Sequence, residues 1–140
     1  MTWIGIDPGV QTGFAVWTGK VFSELGTLPL HRALLRLLDI ADELGNQNVH
    51  VVFEDARQRK WIPRESSVSE RIGRAQGAGS VKRDCAIWEA VCRDYKIPFT
   101  ASAPKDGVTK LSAEAFANLT KVGVKTSNHA RDAAMLVFGR

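Results

Sequence analysis

The run VHVVFEDA at residues 49–56 is apolar at nearly every position until it ends in two adjacent carboxylates. A strand that lacks polar alternation is stable only where both faces are covered, as in the centre of a sheet with helices on each side. The surrounding pattern fits that requirement. TWIGID at 2–7 and TGFAVWTG at 12–19 are apolar and β-branched runs separated by Pro8–Gly9, and KVFSELGTL at 20–28 follows closely enough to complete an antiparallel meander. Between Leu30 and Leu44, apolar residues recur at spacings of three and four, which marks an amphipathic helix ended by Gly45 and Asn46. A long helix is predicted from Gln76 to Tyr95, a fifth strand at 97–104, a weaker helix at 111–119 and a last helix from Asn128 to Phe138. This order predicts an α/β fold: a mixed five-stranded sheet, three antiparallel strands and then parallel ones, flanked by helices.

A chain of 140 residues fits one domain of ordinary size. No apolar run approaches the roughly 20 residues needed to span a bilayer, and the N-terminus opens on a strand pattern rather than a signal peptide. A location inside the cell, with no membrane partner, is therefore expected. Cys85 and Cys92 lie seven residues apart in the long predicted helix. That spacing separates them by about 10 Å, beyond disulfide reach, and they read as two small apolar residues. The net charge of +4 is unevenly spread: from Arg57 to Arg83 there are eight basic residues and only two acidic ones. A local excess of this kind points to a surface that meets a polyanion such as DNA or RNA.

Three carboxylates stand in places where a carboxylate is costly. Asp7 follows the apolar WIGI run and precedes Pro8, whose ring biases it towards extended geometry at a strand end. Glu54 follows Val51, Val52 and Phe53 at the end of the central strand, where an unpaired charge is unfavourable. Asp132 lies three residues after His129, on the same face of the last helix. If the fold brings them together, oxygen ligands of this kind suit two Mg2+ or Mn2+ ions, which can activate a water and stabilise the leaving oxygen in phosphodiester cleavage. His129 could then ligate or transfer a proton. Each residue also has a plain structural reading: Asp7 as a turn residue, Glu54 as a salt-bridge partner, His129 and Asp132 as a helical pair. Asp55 points to the opposite side of the strand from Glu54 and is left outside the cluster.

Taken together, GIDPG at 5–9, VVFEDA at 51–56 and HARDAAML at 129–136 resemble, in that order, the catalytic segments of the RuvC-type Holliday junction resolvases. The resemblance runs over nearly the whole chain and implies an RNase H-like fold. It also implies a homodimer that nicks four-way DNA junctions symmetrically, in the cytoplasm of a bacterial or phage-infected cell. By resemblance, Asp7, Glu54 and Asp132 match acidic metal ligands, and His129 stands where the family holds Asp or His. Lys105 matches a basic residue near the scissile phosphate, and QGAGSVKR at 76–83 resembles the start of a helix that forms the dimer interface. Candidate DNA contacts are Arg57, Arg59, Lys60, Arg64, Arg71, Arg74, Lys82, Arg83 and Lys110, with Trp61 placed to stack on an exposed base. Three other readings stay open: an RNase H-like nuclease for RNA–DNA hybrids or other branched DNA, a non-catalytic junction binder, and an actin-type ATPase.

Overall fold

A computed structural model describes residues 1–59, 67–105 and 110–140, apart from the side chains of residues 71, 74 and 75. Among the described residues five strands form one mixed sheet. The strands are β1 (Thr2–Asp7), β2 (Gln11–Trp17), β3 (Phe22–Pro29), β4 (Val49–Glu54) and β5 (Phe99–Ser102), in the order β3-β2-β1-β4-β5. β1, β2 and β3 pair antiparallel, whereas β1 with β4 and β4 with β5 pair parallel. The helices are α1 (Leu30–Leu44), α2 (Val68–Asp94), α3 (Ala113–Thr120) and α4 (Asn128–Val137). The expected α/β architecture is observed. None of the described helices is long and apolar enough to cross a membrane.

Side-chain alternation along the strands divides the core in two. Ile4, Ile6, Val51 and Phe53 face α1 and α2, where they pack with Leu37, Cys85 and Trp88. Ala15, Trp17 and Val52 face the other side and pack with Phe116 of α3 and with Ala133, Ala134 and Val137 of α4. β4 has buried residues on both faces, which accounts for its unbroken apolar character.

β5 spans only Phe99–Ser102 of the expected 97–104, and two further boundaries differ from expectation for identifiable reasons. α2 begins at Val68 rather than Gln76 because Ser67 caps it: the Ser67 hydroxyl accepts from the Glu70 backbone N–H at 3.1 Å, in the S-x-x-E spacing of a capping box. Its early turns are largely exposed, including Val68 and Ile72, so no core periodicity marks them. β4 stops at Glu54 because the Asp55 carboxylate accepts from the Arg57 backbone N–H at 3.0 Å and starts a short 3-10 turn.

Candidate active site

The parallel register of β1 and β4 pairs Ile6 with Phe53, so Asp7 and Glu54 are the next residues of two neighbouring strands. Gly5, Asp7, Val52 and Glu54 alternate onto the face covered by α4. Two glycines let that helix lie directly on the sheet. A Cβ at Gly5 would stand 2.0 Å from the Ala133 carbonyl oxygen, and one at Gly13 would stand 2.0 Å from that of His129. Only a missing side chain permits this approach. Ser127 fixes the start of α4 by accepting from the Ala130 N–H at 3.1 Å.

With the helix so seated, His129 Nδ1 lies 2.8 Å from Asp7 Oδ2. Asp132, one turn on, forms an ion pair with the Lys110 ammonium. Burial raises the Asp7 carboxyl above its ordinary range; the His129 hydrogen bond opposes the shift and the Asp132 charge adds to it. Glu54 is likewise raised, by burial first and then by the Asp7 charge, while Lys110 and Arg59 work against the rise. Lys110 is raised by its hydrogen bond to Asp132, with Asp7 and Glu54 adding to the effect. The three carboxylates therefore share one electrostatic site, and together they favour a cation.

The sequence-predicted residues divide accordingly. His129 contacts Asp7, and Asp132 contacts Lys110, which the sequence reading placed among the DNA contacts; Glu54 feels the charges of Asp7, Asp132 and Lys110. Lys105 is exposed and has no hydrogen bond or ion pair among the described residues. Arg59 is exposed and close enough to Glu54 to act on its charge. Arg57 is held elsewhere, by Asp55 at 2.7 Å and Glu89 at 2.5 Å, so its charge is already matched. Lys82 and Arg83 are exposed on α2, and Arg83 donates to Ser80 Oγ at 3.1 Å. Lys60, Trp61 and Arg64 lie outside the described residues, as do the side chains of Arg71 and Arg74. Asp55 points away from Glu54 and pairs with Arg57, as its strand position requires.

Among the described residues no three His, Cys, Asp or Glu side chains already converge as a metal cage. Asp132 takes the Lys110 ammonium and Asp7 takes His129 instead. The donor set nonetheless suits a hard divalent cation: the Asp132 charge makes ionisation of Asp7 and Glu54 more costly, as Asp7 does for Glu54, and an imidazole stands beside them. The site is also open, since the His129 side chain is 53% exposed. A cleft lined by Trp17, Phe22 and Val122 lies instead at the far end of β2, away from the carboxylates. Sequence reading did not single out Gly5, Gly13 or the buried Arg131. The glycines' spacing from Asp7 along paired strands was the available signal for the first two. No protein-family model and no curated protein matches this chain.

Proposed function

We propose that this chain is a divalent-metal-dependent DNA endonuclease with an RNase H-like fold, acting as a RuvC-type Holliday junction resolvase. The observation that carries the reading is the placement of Asp7 and Glu54 at the ends of adjacent parallel strands, with His129 of the crossing helix hydrogen-bonded to Asp7 and the Asp132 charge acting on both. The strand order and the sequence of motifs support it further.

In this reading Asp7, Glu54 and Asp132 would hold two Mg2+ or Mn2+ ions, with His129 as a further ligand, and such ions would supply positive charge at the phosphate. The hydrogen bond to Asp7 fixes the His129 ring, so that Nε2 remains for a ligand or a proton. Lys110, already on Asp132, brings an ammonium to the phosphate. Water attacks phosphorus and the 3′ oxygen leaves, giving a 5′-phosphate and a 3′-hydroxyl. Arg59, Lys82 and Arg83 offer charge to the junction arms, and a homodimer supplies the second, symmetry-related nick.

The deciding experiment is cleavage of a labelled four-way junction beside matched duplex, flap and RNA–DNA hybrid, with Mg2+, Mn2+ or EDTA. Paired symmetric nicks in the junction alone, abolished by EDTA, are expected. Cutting of the other substrates would make the chain a broader nuclease, and binding without cutting would make it a junction-binding protein.

A further inference from the structure

Arg131 is a buried cation with no carboxylate partner among the described residues. It is 8% exposed, yet each of its three nitrogens donates to a neutral acceptor. Nε donates to the Leu111 carbonyl at 3.1 Å, Nη1 to the Thr126 carbonyl at 2.6 Å and to Thr126 Oγ1 at 3.1 Å, and Nη2 to Asn128 Oδ1. Burying a guanidinium without a counter-charge is expensive and needs all of these bonds. They do not hold α4 to the sheet, which Gly5, Gly13 and the apolar face already accomplish. What they join is the start of α4 to the separate segment that enters α3. Leu111, the residue so gripped, directly follows Lys110, whose ammonium sits on Asp132, the neighbour of Arg131.

We propose that Arg131 is a positioning residue for Lys110: its guanidinium clamps the Leu111 carbonyl to the first turn of α4 and so delivers the Lys110 ammonium to the carboxylate cluster. Lys110 is 73% exposed at its side chain, so little of it is covered to hold it there. A long, flexible side chain loses much rotamer entropy when it is fixed, so anchoring the adjacent backbone is the economical way to place it. The rigid fork of Arg reaches three separate acceptors at once, which a single ammonium cannot do. That the delivered charge serves phosphodiester cleavage rests on the function proposed above. That Arg131 delivers it does not.

The test is a double-substitution cycle on the full chain, with Arg131→Lys, Lys110→Met and both together. Single-turnover junction cleavage is measured with Mg2+, and junction affinity is measured in EDTA. Arg131→Lys is expected to slow cleavage by about tenfold or more and to leave junction affinity within about twofold. The double variant is expected to be no slower than Lys110→Met alone, because both changes remove one interaction. Multiplying effects, or a loss confined to affinity, would overturn the proposal. A second readout needs no activity: mass-spectrometric acylation with an amine-reactive ester should label Lys110 faster in Arg131→Lys than in the parent, with Lys20 as reference. Equal labelling would refute the clamp. If the parent leaves every nucleic acid uncut, the nuclease reading fails while the labelling still decides the role of Arg131. Should Arg131→Lys not fold, Thr126→Val removes one hydroxyl acceptor, and faster Lys110 labelling is again the expected result.

Discussion

Two acidic clusters meet at the end of β4, one on each face of the sheet, and they are built to opposite specifications. On the α2 side, Asp55 accepts from Arg57 and Gln58, Arg57 also grips Glu89, and Glu89 accepts from Arg93. Each carboxylate there has a guanidinium, and both Asp55 and Glu89 are held below their ordinary ranges, chiefly by the Arg57 hydrogen bonds. On the α4 side, Asp7 and Glu54 are pushed up, chiefly by burial. The neighbours Glu54 and Asp55 thus differ in direction of shift because strand alternation sends them to different environments. A charge-matched ladder fastens helix to sheet. A cluster left short of positive charge keeps its affinity for a cation, and perturbed carboxylates of that kind mark functional sites.

The largest expected effect tests whether that contrast is one of function against structure. Asp7→Asn should slow metal-dependent junction cleavage by more than about a hundredfold, since even groups one shell removed from a metal cost 10–100-fold. Its thermal midpoint should stay level or rise, because the substitution relieves a buried charge. Retained cleavage would place the active site elsewhere, whereas a collapsed midpoint would make Asp7 a structural residue.

Next in size is Gly13→Ala, which attacks the seat of α4 rather than a carboxylate. The added Cβ would meet the His129 carbonyl at 2.0 Å, and backbone cannot swing aside as a flexible side chain can. Overpacking of this kind costs about 1–3 kcal/mol, read as a lower urea midpoint, and cleavage should fall because His129 leaves Asp7. The ladder on the other face should be untouched. An unchanged midpoint would show that α4 is not pressed on the sheet at this position.

The comparison also shows what could be read in advance. β1 and β4 show as apolar runs, and the opposite orientations of Glu54 and Asp55 follow from side-chain alternation, a property of the strand alone. The meeting of Asp7 with His129 across 122 positions could be expected only through family likeness, because nothing local encodes it. Arg131 was hidden for a related reason: a cation beside Asp132 looks like any solvated helical charge until Leu111 and Thr126 are seen to close over it. Lys105 and Lys110 stand in one basic stretch of sequence, and spacing gives no means of choosing between them. The early start of α2 was legible in Ser67 and Glu70, but an exposed first half offers no periodicity to draw attention to its cap.

The smallest effect isolates the ladder. Asp55 is nearly buried and accepts from the Arg57 side chain and backbone. Asp55→Asn should cost about 1–3 kcal/mol near neutral pH, the range for losing a charged hydrogen-bond partner, with cleavage per folded molecule little changed. The pH dependence has a definite sign. Because folding lowers the Asp55 pKa, the unfolded chain binds more protons as pH falls, so the stabilisation is complete well above about pH 4 and is lost as pH drops through the folded value. Asp7 and Glu54, raised on folding, contribute with the opposite sign in the same acid range, so the parent's stability profile alone cannot separate the two clusters. The difference between the parent and Asp55→Asn can, since Asp7 and Glu54 are common to both. Below the folded pKa a protonated Asp55 resembles the asparagine that replaces it, and the two urea midpoints should converge. A gap that persists undiminished at about pH 2 would mean that Asp55 holds α2 through packing and shape, and that charge matching is not what distinguishes the two faces.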